Sequence, residues 1–188
     1  MSGAVVEHEL KIPVPELERV RQALSEEGGR RTHGGLHEDN LLMDTGSGEL
    51  RTAGRVLRIR RFGGETILTL KGGASFRRGV KSRTEDEVVI DDGDRMLAIL
   101  SGLGFEVVAR YQKVREGWHL GPVKVLLDRT PMGSFVEIEG PFDQLEATAQ
   151  RLGLDPESAV RGSYLDLWHD HRAAHPGNDL PDDMVFPE

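Results

Sequence analysis

The sequence predicts an α+β chain, mainly β, with a sheet that closes on itself. Strand-like segments outnumber helical ones and follow one another directly, so they pair antiparallel. Charged residues also recur two apart along those segments, which is the spacing of side chains on one face of a strand.

Residues 5–12 alternate, with Glu7, Glu9 and Lys11 on one side and Val6, His8, Leu10 and Ile12 on the other. Pro13 and Pro15 are expected to end this strand, and Pro15 to open a helix carrying Leu17, Val20 and Leu24 at helical spacing, closed by Gly28-Gly29. Further strands are predicted at 36–43, 55–62, 65–71 and 81–90, with Gly63-Gly64 as a hairpin turn. A second helix over about 93–103 has Met96, Leu97, Leu100 and Leu103 as its apolar stripe. Strands at 105–115, 118–128 and 134–139 follow, then a helix at 141–152 in which Asp143 and Glu146 resemble a capping box. A short fourth helix is predicted over 163–169. Beyond about Ala174 the chain has prolines but no periodicity, so one domain over 1–171 and a tail over 172–188 are expected.

Composition narrows the function. Of 188 residues, 24 are Lys or Arg and 32 Asp or Glu, a net charge of −8, with 37% hydrophobic and 30% charged. That balance fits a soluble globular protein and disfavours nucleic-acid binding, which needs surplus cations for phosphate backbones. No apolar run reaches ten residues and no basic segment precedes an apolar one at the start, so no membrane association is expected and a cytoplasmic location is. With no cysteine, disulfides, thiolate metal sites and a cysteine nucleophile are excluded. Residues 51–83 hold ten Lys/Arg against one Glu, a local +9 that points to an anion site or a basic face.

Strand alternation then sorts the charges. Arg58 and Arg60 share a face; so do Lys81, Arg83, Glu85 and Glu87; Lys113 and Arg115; Lys124, Leu126 and Asp128; and Glu137 and Glu139. These could be the solvated faces of an ordinary antiparallel sheet. If the helices cover the opposite, apolar faces and the sheet closes, the charged faces instead meet inside. Like charges on one strand are destabilising unless something opposite sits between them, which favours the second arrangement with a ligand. The tunnel would carry a carboxylate group (Glu7, Glu9, Asp128, Glu137, Glu139) and a cationic group (Lys11, Arg58, Arg60, Lys71, Arg83, Lys113, Arg115). Oxygen-only clusters suit Mg²⁺ or Mn²⁺, and converging Arg and Lys suit phosphoryl oxygens. Together they describe a metal-bound polyphosphate, held without a Walker A loop.

The segment Glu7-His8-Glu9-Leu10-Lys11 resembles the Glu-x-Glu-x-Lys signature of CYTH domains, the triphosphate tunnel metalloenzymes, which join class IV adenylyl cyclases with thiamine triphosphatases. The likeness continues in order through Leu57-Arg58-Ile59-Arg60, Leu68-Thr69-Leu70-Lys71-Gly72, Arg83-Thr84-Glu85-Asp86-Glu87, Lys113-Val114-Arg115, Leu127-Asp128 and Gly133-Ser134-Phe135-Val136-Glu137-Ile138-Glu139. It implies an eight-stranded antiparallel β-barrel open as a tunnel, with helices packed outside. It also implies a Mg²⁺ or Mn²⁺ ion on Glu7, Glu9, Asp128, Glu137 and Glu139, and a triphosphate on Lys11, Arg58, Arg60, Lys71, Arg83, Lys113 and Arg115. Lys11, Arg58, Arg60 and Glu85 would serve the chemistry, with Glu87 on the tunnel wall. The activity implied is hydrolysis of tripolyphosphate, thiamine triphosphate or a nucleoside triphosphate. The alternatives are cyclisation of ATP to cyclic AMP and pyrophosphate, or binding of polyphosphate or nucleotide without catalysis. The partner expected is the small-molecule triphosphate, and the protein a monomer or homodimer. One departure stands at Arg161-Gly162-Ser163-Tyr164, where many relatives carry Lys before the Ser-Tyr pair.

Other residues read as structural. His8, between two inward glutamates, points outward into helix packing. His169, His171 and His175 read as solvated, Trp118 and Trp168 as core or rim, and Gly46-Ser47-Gly48 as a loop. Asp39 and Asp44 lie on the second strand without an assigned face.

Overall fold

The structure, a computed structural model, describes residues 5–187. Its strands are β1 (Val5–Val14), β2 (Arg30–Thr45), β3 (Val56–Phe62), β4 (Glu65–Lys71), β5 (Ser75–Arg77), β6 (Val80–Ile90), β7 (Phe105–Leu120), β8 (Val123–Thr130) and β9 (Gly133–Glu139). The helices are α1 (Leu17–Glu26), α2 (Glu49–Thr52), α3 (Gly93–Gly102), α4 (Leu145–Arg151) and α5 (Tyr164–Ala174). Eight strands run in the order β1-β9-β8-β7-β2-β3-β4-β6, and β6 pairs back onto β1, so the antiparallel sheet closes. Two long-range ladders make the closure, Leu10 opposite Ile138 and Glu7 opposite Arg83. The short β5 lies against the start of β6 and belongs to none of the eight.

Closure follows from alternation. The outward sides of β1, β8 and β9 supply Leu10, Ile12, Val125, Leu127, Val136 and Ile138, which are buried against Val20 and Leu24 of α1 and Leu145 and Ala149 of α4. On the opposite flank Met43, Leu57 and Ile59 are buried beneath Leu100 of α3. With the apolar faces covered from outside, the charged faces have only the interior left.

Several boundaries differ from the sequence prediction for physical reasons. β1 runs through Pro13, because its pairing with β6 ends at Glu9 and the missing N–H interrupts no second ladder. β7 runs on through Gly117, so the predicted strand 118–128 is the end of β7, a turn and most of β8. Chain reversal occurs at Gly121, whose φ of +60° suits a glycine, followed by Pro122. β2 starts at Arg30, six residues before the alternation becomes legible. Asp143 does not cap α4; it sits in a one-turn 3₁₀ helix, Phe142–Gln144. The capping box forms instead on α5, between Ser163 and Asp166.

The segment after α5 is irregular but packed. Met184 is buried beside Tyr111, which it meets as a parallel bridge on the free edge of β7, and the Trp168 indole donates to Pro181 O at 3.1 Å and Asp182 O at 3.2 Å. Arg110 N donates to Asp183 Oδ1 at 2.8 Å on the same edge.

Candidate active site

The barrel encloses a cavity of about 370 Å³. Nine cationic side chains and seven glutamates line it among the described residues, so it is built for charge of both signs rather than as a plain anion hole. Exposure gives it a direction. Along β1 the side-chain exposure rises from Lys11 at 4% to Glu9 at 10% and Glu7 at 23%, and along β3 from Arg58 at 9% to Arg60 at 16%. Register and exposure therefore put Lys11, Tyr111 and Lys113 at the closed end, Arg58 with Glu87 beside it above them, and Glu7, Glu139, Phe62 and Lys124 at the mouth.

The closed end is stoppered by the start of α5. Tyr164 points inward and its hydroxyl donates to Asp128 Oδ2 at 2.7 Å, while the Lys11 and Lys113 ammonium groups stand 4.2 and 4.8 Å from its ring centroid. Asp128 is fully buried and also accepts from Lys113 Nζ at 3.0 Å and from Arg115 Nε and Nη2 at 2.7 and 2.6 Å. Its oxygens are thus taken by this chain's own donors, and the geometry makes it an anchor for Lys113 and Arg115 rather than a partner of the carboxylates at the mouth. Glu137 lies between Lys11 at 3.2 Å and Arg115, with Lys113 at 3.8 Å; against the effect of burial, Lys113, Arg115 and Lys11 hold its carboxyl well below the usual range.

Midway up the wall, Arg58 Nη1 donates to Tyr111 Oη at 3.2 Å, and Nη2 to Thr69 Oγ1 at 3.3 Å and Glu87 Oε1 at 3.4 Å. Arg60 Nη2 shares that Glu87 oxygen at 3.2 Å. The Nε–H groups of Arg58 and Arg60 are buried and have no acceptor among the described residues. Lys71 bridges Glu85 at 2.7 Å and Glu7 at 3.5 Å. Arg83 donates to Gly72 O at 3.1 and 2.8 Å and also lines the cavity.

The mouth-side carboxylates crowd one another. Burial, and then a hydrogen bond with Glu7, push the Glu85 carboxyl up to about 8. Burial, followed by the charges of Glu7, Glu137 and Glu9, pushes Glu139 up to about 7. Glu139 has no ion-pair partner among the described residues, although Glu9 lies opposite it on β1. Uncompensated, all-oxygen carboxylates of this kind are what a hard divalent cation neutralises. Among the described residues no three acidic or imidazole side chains close round one point, so holding a cation would draw Glu7 and Glu9 from Lys71 and Lys11.

Of the residues singled out in the sequence, Glu7, Glu9, Glu137, Glu139, Lys11, Arg58, Arg60, Lys71, Arg83, Lys113, Arg115, Glu85 and Glu87 all line this one cavity, and Asp128 lies just behind its closed end. Arg161 does not join them; it is exposed, over the Phe76 ring, and the chain reaches the cavity there through Gly162 O, 3.5 Å from Lys11 Nζ. His8 lies outside the barrel, bonded to Ser82 Oγ at 2.7 Å and edge-on to Phe142. His171 stacks on Trp168 and abuts His175.

Sequence reasoning missed Glu38, Tyr111, Tyr164, Lys81 and Lys124. Glu38 is fully buried, 3.6 Å from Lys113, with Oε2 left without a hydrogen bond. Burial works to raise its carboxyl, but Lys113, Arg115, Arg58 and Arg60 hold it down at about 2. The signal was present as Glu38, Asn40 and Leu42 two apart, but the neighbouring Asp39 and Asp44 obscured it. Asp39 instead bonds Arg110 on the outside, and Asp44 accepts the backbone N–H groups of Thr45, Leu50 and Arg51 at the start of α2.

Comparison with known proteins decides the family, because the CYTH domain model matches residues 6–164. The chain belongs to the CYTH domain family. A relative in Methanocaldococcus jannaschii, provisionally named an adenylate cyclase, is 25% identical over 87% of this chain and 98% of its own. A Vibrio parahaemolyticus structure with the same provisional name superposes with a TM-score of 0.79 at 21% identity, covering 88% of this chain and 99% of that one. A structure from Hippeastrum, a candidate adenylyl cyclase described as revealing a dominant triphosphatase activity, gives 0.67 at 19% identity over 95% and 100%. The CYTH match begins beside Glu7 and ends at Tyr164, so its limits coincide with the mouth strand and the stopper of the barrel.

Proposed function

We propose that the protein is a divalent-metal-dependent enzyme that hydrolyses triphosphates inside the barrel. The observation that carries this reading is the pair of buried Arg58 and Arg60 Nε–H donors without acceptors, set between the Lys11 and Lys113 ammonium groups and a carboxylate-crowded mouth. A buried donor left unmade is costly, about 1–3 kcal/mol, and phosphoryl oxygens would satisfy both. Lys11, Lys113 and Arg58 grip the deeper phosphate oxygens, with Lys71, Arg83 and Arg115 completing the cationic wall. Glu7, Glu9 and Glu139, with Glu137 behind them, are the residues that would hold Mg²⁺ or Mn²⁺. Bound there, the ion would neutralise phosphate charge and orient the chain for in-line attack. Glu85, hydrogen-bonded to Glu7 and pushed up to about 8, takes the proton released as water attacks phosphorus once its own carboxyl is ionised, at about pH 8 and above, while the bond to the leaving phosphate breaks and the arginines meet the charge that builds on the transferred group.

The second reading is cyclisation of ATP, with the ribose hydroxyl in place of water and pyrophosphate as leaving group; the naming of the Methanocaldococcus jannaschii relative supports it. Incubation with tripolyphosphate, thiamine triphosphate or ATP, each with Mg²⁺ or Mn²⁺, followed by separation of products, decides. Orthophosphate is the expected product; cyclic AMP with pyrophosphate would establish the cyclase, and tight binding without turnover a binding module.

A further inference from the structure

We infer that, on the side of the mouth facing away from the metal-side glutamates, Phe62 and His33 form the seat for a planar heterocycle, and that these two residues set the preference of the site for an organic triphosphate over inorganic tripolyphosphate. This rests on the triphosphate reading above and adds what the third, outermost position of the ladder is for.

Four observations carry it. On β3 the inward positions run Arg58, Arg60, Phe62 from closed end to mouth, at about 7 Å per step. A chain of phosphates gripped by the two arginines therefore leaves its organic substituent level with the Phe62 ring. Next, β2 is built irregularly at this height, with register shifts against β7 both before and after His33. Such bulges re-aim a side chain, and here His33 lines the cavity beside Phe62, the two rings edge-on at 5.1 Å. Third, the facing residue on β7 is Gly117, where a Cβ would stand 2.4 Å from His33 Nε2 and 2.6 Å from Thr32 Oγ1. The missing side chain in the middle of a long strand is thus what admits the imidazole. Finally, His33 Nδ1 lies 2.9 Å from Gly34 O, a carbonyl that only accepts, so Nδ1 carries the proton and Nε2 is left as an acceptor. Phe62 offers an apolar face and His33 an acceptor beside it, which together match a ring bearing N–H groups. Neither residue is needed to hold phosphate, and both are half-buried rather than packed into the core.

Titration calorimetry with ATP and with tripolyphosphate, each as its non-hydrolysable imido analogue so that no turnover heat intervenes, at constant Mg²⁺, tests this on the wild type, Phe62→Ala, Phe62→Trp and His33→Ala. Base stacking on an aromatic side chain is worth about 1–3 kcal/mol on alanine substitution. Phe62→Ala is therefore expected to weaken ATP at least about tenfold, ~1.4 kcal/mol, while tripolyphosphate affinity, which also reports an intact barrel, stays within about twofold. Phe62→Trp should retain ATP, and His33→Ala should weaken ATP alone. Selective loss of ATP in neither alanine variant overturns the inference. Wild-type protein that binds neither probe overturns the triphosphate reading itself, a different result from binding both with no difference between variants.

Discussion

A single residue, Asp128, shows how charge is spent at the closed end. Lys113, Arg115 and Tyr164 all converge on its two oxygens, and none of its surface is exposed. Asp128→Asn removes the negative charge while keeping the size, leaving two buried cations short of a partner. The expected loss of stability is about 3–5 kcal/mol in urea unfolding, whether or not a metal is added. Glu9→Gln should cost less stability than Asp128→Asn, because Lys11, on losing Glu9 at 3.1 Å, keeps Glu137 at 3.2 Å, while metal-dependent turnover disappears; turnover equal to wild type would remove Glu9 from the metal group. The two roles were not separable in the sequence, where Asp128, Glu137 and Glu139 all appear as acids on alternating positions. Alternation tells which face a residue takes, but depth along the barrel depends on strand register, and that is set by pairings far apart in the chain.

At the scale of elements, what the sequence concealed has a common cause: irregularity inside long strands. Gly117 reads as a break, yet the strand passes through it because its partner needs the room, whereas Gly121-Pro122 makes the turn. The basic run 51–83 shows the same mixture. Arg58, Arg60, Lys71, Lys81 and Arg83 face the cavity, while Arg51, Arg55, Arg61, Arg77 and Arg78 are exposed outside, so both sequence readings of that run apply to half of it each. The segment after α5 had no period to read, but its packing is specific. Removing residues 176–188 would bare Trp168 and Tyr111 and strip the edge of β7 of its Met184 and Asp183 hydrogen bonds. A fall in Tm of several degrees and a red shift of tryptophan emission are expected; an unchanged melting curve would make the segment dispensable.

For the molecule as a whole, the opposed carboxyl shifts set a pH dependence. Glu38 is held at about 2 against an ordinary value of 4.5, so the stability it adds is complete above 4.5 and is lost as pH falls through 2. Glu85 and Glu139 are pushed the other way, to about 8 and about 7, so the folded state binds more protons than the unfolded between 4.5 and those values and loses stability as pH rises through that window. Without metal or ligand, stability should peak a little above 4.5 and fall on both sides. Added Mg²⁺ should flatten the alkaline limb, and a curve that keeps rising to pH 8 in chelator would contradict the crowding of carboxylates at the mouth. Closure was one of two arrangements that alternation allowed, the other being charged faces in solvent; the like charges two apart favoured it, and the eight strands came only with the resemblance to CYTH domains.

The ladder between β1 and β9 has a consequence for how the polypeptide is made. Leu10 emerges from the ribosome long before Ile138, its neighbour in the finished wall. The hairpin of β3 with β4 can form on the nascent chain at once, yet the first strand must wait, half its backbone unsatisfied, until the last arrives. Synthesis therefore passes through an open sheet with an adhesive border, and the like charges along Glu7 and Glu9 guard that border against strangers until the ring can shut.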